Sequence, residues 1–156
     1  MHVFRMSELT PTGREALRER HLSSRELCNL PEGGGVSISV AQDACIMINE
    51  EDHVRFQALQ PGLDLRAAWG RVDEFDAFFM QHLDFCWQEE LGFLTACATN
   101  VGTGMRASAL MHLPALVMTG QLEAVARATA ALGLAIRGLF GEGSDAVGDL
   151  FQLSNQ

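Results

Sequence analysis

Cys97-Ala98-Thr99-Asn100-Val101-Gly102-Thr103-Gly104-Met105-Arg106 joins a cysteine, two small polar residues, a Gly-x-Gly turn and an arginine in one unbroken run. Glycine admits positive φ and a close backbone approach to a neighbour. Successive N–H groups in such a turn can form an anion-binding nest. An arginine just beyond can fork onto a phosphate. A cysteine in electropositive surroundings is held as a thiolate. The same run also fits a plain Gly-rich turn, so the flanking chain has to decide.

On the N-terminal side, Phe93–Ala96 reads as a short strand entering the run, and Gly92 as the end of a helix. Leu63–Leu91 reads as mostly helical, with a break near Val72-Asp73-Glu74. Leu65, Ala68, Trp69, Val72, Phe75, Phe79, Leu83 and Trp87 form its apolar stripe, and Cys86 is a small buried residue within it. Val36–Val40 alternates with period two and Ala44–Ile48 is rich in β-branched residues, predicting a hairpin with a third strand from about His53. Met1–Met6 suggests a further short strand. Thr10–Gly13 reads as a turn before a helix over Arg14–Arg20. His21 follows that helix, and residue type alone makes it a surface or capping histidine.

On the C-terminal side, Arg106–His112 reads as a strand, Leu113–Met118 as a turn and Leu122–Leu132 as a helix closed by Gly133. Leu134–Leu139 is a further strand, ending in the Gly-rich loop Gly138–Asp145.

The chain has 156 residues, 47% of them apolar and 20% charged, which describes a globular domain able to bury a core. A net charge of −9 argues against a nucleic-acid partner and favours a cationic substrate. Cys28, Cys45, Cys86 and Cys97 lack CxxC spacing, so neither a zinc site nor a disulfide framework is expected. No secretory h-region and no membrane-length apolar run is visible, which favours a cytoplasmic protein with free thiols.

Arg55, Arg106 and Arg137 lie on or beside predicted strands, while Glu51 and Glu142 lie in adjacent loops. Three arginines suit a polyphosphate. Two carboxylates and a thiol suit a planar cation, because paired acids grip a guanidinium in bidentate fashion. Together they point to phosphoryl transfer onto a guanidinium, a chemistry of positioning and charge neutralisation.

NEEDHVRFQ (Asn49–Gln57), TACATNVGTGMRAS (Thr95–Ser108) and RGLFGEGSDAVGDLFQLSNQ (Arg137–Gln156) occur in that order. Together they closely resemble the ATP:guanido phosphotransferase family, which includes creatine and arginine kinases and bacterial protein-arginine kinases. The likeness runs from about His2 to Gln156. NVGTGMRASALMHLPALV and RGLFGEGSDAVG are more similar to the protein-arginine kinases than to the small-substrate enzymes.

The resemblance implies an α+β fold, an antiparallel β-sheet flanked by helices of the glutamine-synthetase-like type. Residues 1–156 would form an incomplete part of the guanido kinase catalytic domain. It implies MgATP-dependent phosphorylation of arginine side chains in proteins, with ATP and Mg²⁺ as cofactors and no protein metal ligands. Glu51 and Glu142 would hold the guanidinium and accept its proton. Cys97 would be the reactive thiolate beside it, supported by Thr99. His21, Arg55, Arg106, Ala107, Ser108, Ala109, Leu110, Arg137, Gly138, Leu139, Phe140 and Gly141 would bind ATP, which replaces the surface reading of His21. Protein partners would be arginine-containing substrates, a stress-response repressor and protease adaptors among them, with neither nucleic acid nor membrane.

Three departures from the family pattern stand out. Ala98 replaces the usual proline. No Ser-x-Arg-x-Arg segment precedes His21, and the family's sequence beyond SNQ is missing. Two other readings follow: an impaired remnant that only binds nucleotide or protein, and a kinase of small guanidino compounds.

Overall fold

The computed structural model describes residues 1–29, 32–138 and 148–155. The chain groups into two compact units, Met1–Gly104 and Met105–Gln156.

In the first unit, β1 (His2–Arg5) leads into helix α1 (Pro11–Glu19). The helix begins earlier than the turn-like Thr-Pro-Thr-Gly suggested. Thr10 Oγ1 accepts from Gly13 N at 3.1 Å and Pro11 occupies the first turn, so these residues cap the helix. Helix α2 (Arg25–Asn29) follows. Strands β2 (Gly35–Ile38), β3 (Ala44–Ile48) and β4 (Val54–Ala58) then form the predicted hairpin and third strand. The four strands make an antiparallel sheet of order β1-β2-β3-β4.

Register separates its two faces. Val36 opposes Met47 and Ile38 opposes Cys45, and these four pack with Met6, Leu22 and Leu27 as the buried core. Each fully buried apolar side chain contributes about 1.5–3 kcal/mol. Phe56 is carried on β4 between Arg55 and Gln57, and its ring lies 5.1 Å from Phe79 and 6.3 Å from Phe75 of helix α3 (Leu65–Phe79).

Helix α3 is shorter than the apolar stripe predicts and runs unbroken through Val72-Asp73-Glu74. Asp64 caps its start by accepting from Ala67 N at 2.9 Å. At its end Gln81 Nε2 donates to the Ala77 carbonyl at 3.0 Å, and the His82 ring sits 2.7 Å from the Phe78 carbonyl. These side chains occupy carbonyls that another helical turn would have used. Leu83 and Trp87 keep helical spacing in sequence but are exposed, and Cys86 is exposed rather than buried in a helix. Trp87 belongs instead to β5 (Trp87–Gln88), paired with β6 (Gly92–Phe93), so the predicted strand Phe93–Ala96 is confined to its first residue.

The second unit contains β7 (Ser108–His112), α4 (Pro114–Met118), α5 (Leu122–Ala130), β8 (Leu134–Gly138) and β9 (Leu150–Asn155). Pro114 starts a short helix where a turn was predicted. The sheet is antiparallel with order β7-β9-β8. The α+β reading, antiparallel strands flanked by helices, therefore holds, with the described strands distributed over three sheets.

Candidate active site

The turn between β3 and β4 carries Glu50, Glu51 and Asp52. Asn49 sits at φ 52° and its N–H donates to the His53 carbonyl at 2.9 Å, closing the hairpin. The Glu50 side chain is only 3% exposed. One of its oxygens lies 3.1 Å from Arg55 Nη1, and the other accepts from Glu51 N at 2.9 Å. Glu51 is left exposed beside this turn. Asp52 Oδ1 accepts from Ala96 N at 2.6 Å, docking the cysteine loop onto the acidic turn. The structure thus brings the segments bearing Glu51 and Cys97 together.

A two-way bridge closes the cysteine loop: Phe93 N donates to Gly102 O at 2.8 Å, and Gly102 N to Phe93 O at 3.2 Å. The approach requires glycine at position 92. Its φ is +77°, and a Cβ there would meet Gly102 O at 2.3 Å. Within the loop the Cys97 carbonyl accepts from Thr95 Oγ1 at 2.7 Å and from Asn100 N at 3.0 Å. Cys97 itself is half-buried, whereas Cys45 is enclosed in the core, where burial pushes its thiol up to about 12. The Thr99 side chain, expected to support the Cys97 thiolate, lies outside the described residues.

His21 occupies a left-handed position at φ 55° and is half-buried. Gln57 Nε2 donates to its carbonyl, tying it to β4. Gln57 and Arg55 are two residues apart on that strand and share a face, so His21 is anchored on the face that carries Arg55. Burial holds the His21 imidazole below its ordinary value of 6.5, and the Arg18 charge lowers it further.

In the second unit Arg106 and Arg137 converge on the Ser154 hydroxyl. Arg137 Nη1 lies 2.9 Å from Ser154 Oγ and Arg106 Nη2 lies 3.4 Å from it. Ser154 is 2% exposed and stands on central strand β9, opposite Ser108 on one side and Ala135 on the other. Gln152, two residues earlier on the same face, donates to Ser108 Oγ at 2.8 Å. Leu110 and Arg137 oppose Gln152, so this face carries Ser108, Leu110, Arg137, Gln152 and Ser154. Ala109 lies on the other face of β7. Ala107 N donates to Asn155 Oδ1 at 2.8 Å, and Gly138 ends β8. Glu142, Leu139, Phe140 and Gly141 lie outside the described residues.

Glu50, Asp52, Ser154 and Asn155 escaped the reading of the sequence as site residues. Glu50 and Asp52 flank a carboxylate already singled out, and that adjacency was the available signal. Ser154 and Asn155 carry no such local signal, since their contacts reach residues 48 positions away.

A sequence profile described as the ATP:guanido phosphotransferase C-terminal catalytic domain matches residues 1–156. The chain belongs to this family. Among its relatives, a protein-arginine kinase from Desulforamulus reducens is 47% identical over 156 residues, covering 100% of this chain and 44% of that protein. One from Geobacillus sp. (strain WCH70) is 48% identical over 154 residues, covering 99% of this chain and 42% of that protein. The chain therefore spans less than half the length of these curated relatives. Among solved structures, the Schistosoma mansoni taurocyamine kinase with bound transition-state-analogue components superposes with a TM-score of 0.87 at 25% identity, covering 99% of this chain and 23% of that one. A lombricine kinase superposes with a TM-score of 0.78 at 28% identity, covering 99% of this guanido phosphotransferase chain and 46% of that one.

Proposed function

We propose that residues 1–156 are part of a catalytic domain that transfers the γ-phosphoryl group of MgATP to arginine side chains of proteins. The observation that carries this reading is the Asp52–Ala96 bond, which joins the Glu51 turn to the Cys97 loop. A carboxylate and a thiol on joined loops suit a planar guanidinium. The paired Arg106 and Arg137 supply cationic donors for phosphate oxygens. Identity to proteins named protein-arginine kinase favours a protein substrate.

In this chemistry a guanidinium nitrogen forms a bond to γ-phosphorus as the bond from γ-phosphorus to the bridging oxygen breaks, and ADP leaves. The proton lost by that nitrogen passes to a carboxylate, a role assigned to Glu51 with Glu142. Cys97 orients the guanidinium. Arg55, Arg106, Arg137 and the ATP-binding segments around Ala107–Leu110 and Gly138–Gly141 hold the nucleotide, with His21 beside it. Mg²⁺, when bound with the nucleotide, would supply charge neutralisation at the phosphates beside Arg106 and Arg137. Among the described residues no group of three or more His, Cys, Asp or Glu could cage a metal. A cytoplasmic setting accords with this chemistry, and no described helix is long and apolar enough to cross a membrane.

A second reading, transfer to a small free guanidino compound, is favoured by the taurocyamine and lombricine kinase neighbours. Incubation of the full chain with MgATP and either an unfolded arginine-rich protein or free arginine, followed by ³¹P NMR for the P–N signal, separates the two. The proposal expects signal with the protein, and signal with free arginine alone overturns it. Glu51→Gln is expected to lower transfer about 10²–10⁴-fold while MgATP still binds. Undiminished transfer removes Glu51 from its role.

A further inference from the structure

We infer that consecutive residues of β9, Ser154 and Asn155, are positioning residues that each fix one phosphate-binding arginine, Ser154 holding Arg137 and Asn155 holding Arg106. The inference rests on the nucleotide role proposed above for those arginines.

A hydroxyl oxygen has two acceptor sites. At Ser154 both face guanidinium groups, at 2.9 Å from Arg137 and 3.4 Å from Arg106. The shorter contact makes Arg137 the main client, because hydrogen bonds weaken at the longer separation. The oxygen is buried on the central strand, with ladder partners on both sides, so its location is fixed by the sheet. Two like charges drawn to one neutral oxygen repel each other.

Asn155 acts by a different route. Its Oδ1 accepts from Ala107 N at 2.8 Å and its Nδ2 donates to Met105 O at 3.1 Å. Its own N–H also donates to Ala107 O at 3.3 Å. One side-chain amide therefore grips the backbone on both sides of Arg106. This sets the direction in which the arginine leaves the chain, before β7 begins at Ser108. An Ala or Asp at position 155 loses the donor, and Ala loses the acceptor as well. A rigid support of this kind matters because phosphate-binding geometry tolerates little displacement.

The test uses the full chain labelled with ¹³C/¹⁵N-arginine, reading guanidinium rotation by NMR and MgATP affinity by calorimetry. Ser154→Ala is expected to free Arg137 rotation and weaken MgATP binding about tenfold, the scale of a lost hydrogen bond to a charged group. Ser154→Thr, which keeps the hydroxyl, is expected to restore both. Asn155→Ala is expected to loosen the backbone on both sides of Arg106, read as faster amide exchange at Ala107, while Arg137 rotation stays restrained, with Asn155→Asp intermediate; unchanged exchange at Ala107 overturns the role of Asn155. Unchanged Arg137 rotation in Ser154→Ala, or equal affinity losses in Ala and Thr variants at unchanged melting temperature, overturns the inference. If the unaltered chain restrains both arginines yet takes up no MgATP, the nucleotide reading falls. The rotation measurements then still decide the positioning roles.

Discussion

The β2–β3 ladder of the first unit buries Val36, Ile38, Cys45 and Met47 against Met6, Leu22 and Leu27, whereas the described residues of the second sheet bury Phe151 and Ser154 on β9. One sheet is held chiefly by apolar contact. The other devotes a face to the Ser108 and Ser154 hydroxyls, the Gln152 amide and the Arg137 guanidinium, with the Arg106 guanidinium reaching Ser154. The difference separates two kinds of sensitivity. Substitutions beneath the first unit's sheet are expected to act on stability, and those on the polar face of the second unit's sheet to act on the proposed transfer before they act on the fold.

The largest effect that tests this contrast is expected from Arg137→Ala. On its proposed phosphate-binding role, the loss of Arg137 is expected to lower transfer about 10³–10⁵-fold, with the urea midpoint almost unmoved. A collapse of the midpoint would erase the contrast. Met47→Ala is expected to show the opposite pattern. It empties a fully buried position and lowers unfolding free energy by about 2–5 kcal/mol, with transfer per folded molecule preserved. Denaturant curves paired with activity normalised to folded protein check both.

Gly92→Ala probes a position where packing and site coincide. The left-handed φ and the 2.3 Å approach to Gly102 O make any side chain strained, at about 1–3 kcal/mol. The expected result is faster amide exchange at Phe93 and Gly102 and slower transfer, the core amides of β2 and β3 being unaffected. Protection unchanged at Phe93 would separate the bridge from the glycine.

The smallest effect concerns His21. Its folded-state value lies below 6.5 because burial and Arg18 disfavour the imidazolium. The unfolded chain therefore binds more protons in that window, so stability falls as pH drops through 6.5 and levels off below the depressed folded value. His21→Asn, which tolerates the left-handed backbone, is expected to flatten urea midpoints measured from pH 7.5 to 5. An unchanged slope would assign the dependence to other groups.

Legibility from sequence followed the range of the forces involved. The β2–β3 hairpin was readable because alternation and β-branching act locally, and α5 because alanine and a closing Gly133 do likewise. The end of α3 was not, since Leu83 and Trp87 keep helical spacing while the Gln81 and His82 side chains take over the last carbonyls. Thr10 and Pro11 read equally well as a turn or as a cap, and the helix beyond them decides. At the site, Glu51, Cys97 and the arginines were visible as residue types within motifs. Their supports were not: Asp52 meets Ala96 across 44 positions, and Ser154 meets Arg106 across 48.

The strand order β7-β9-β8 puts the last of the described strands in the middle. Among the described residues neither outer strand has a ladder partner until 150–155 emerge, whereas β2, β3 and β4 zip together as successive hairpins. Local pairing is fast and distant pairing waits on loop closure. During synthesis the acidic turn can therefore be in place well before Arg106 and Arg137 acquire their common support. Strand β9 works as a keystone, because the common support of Arg106 and Arg137 is made only after both arginines are.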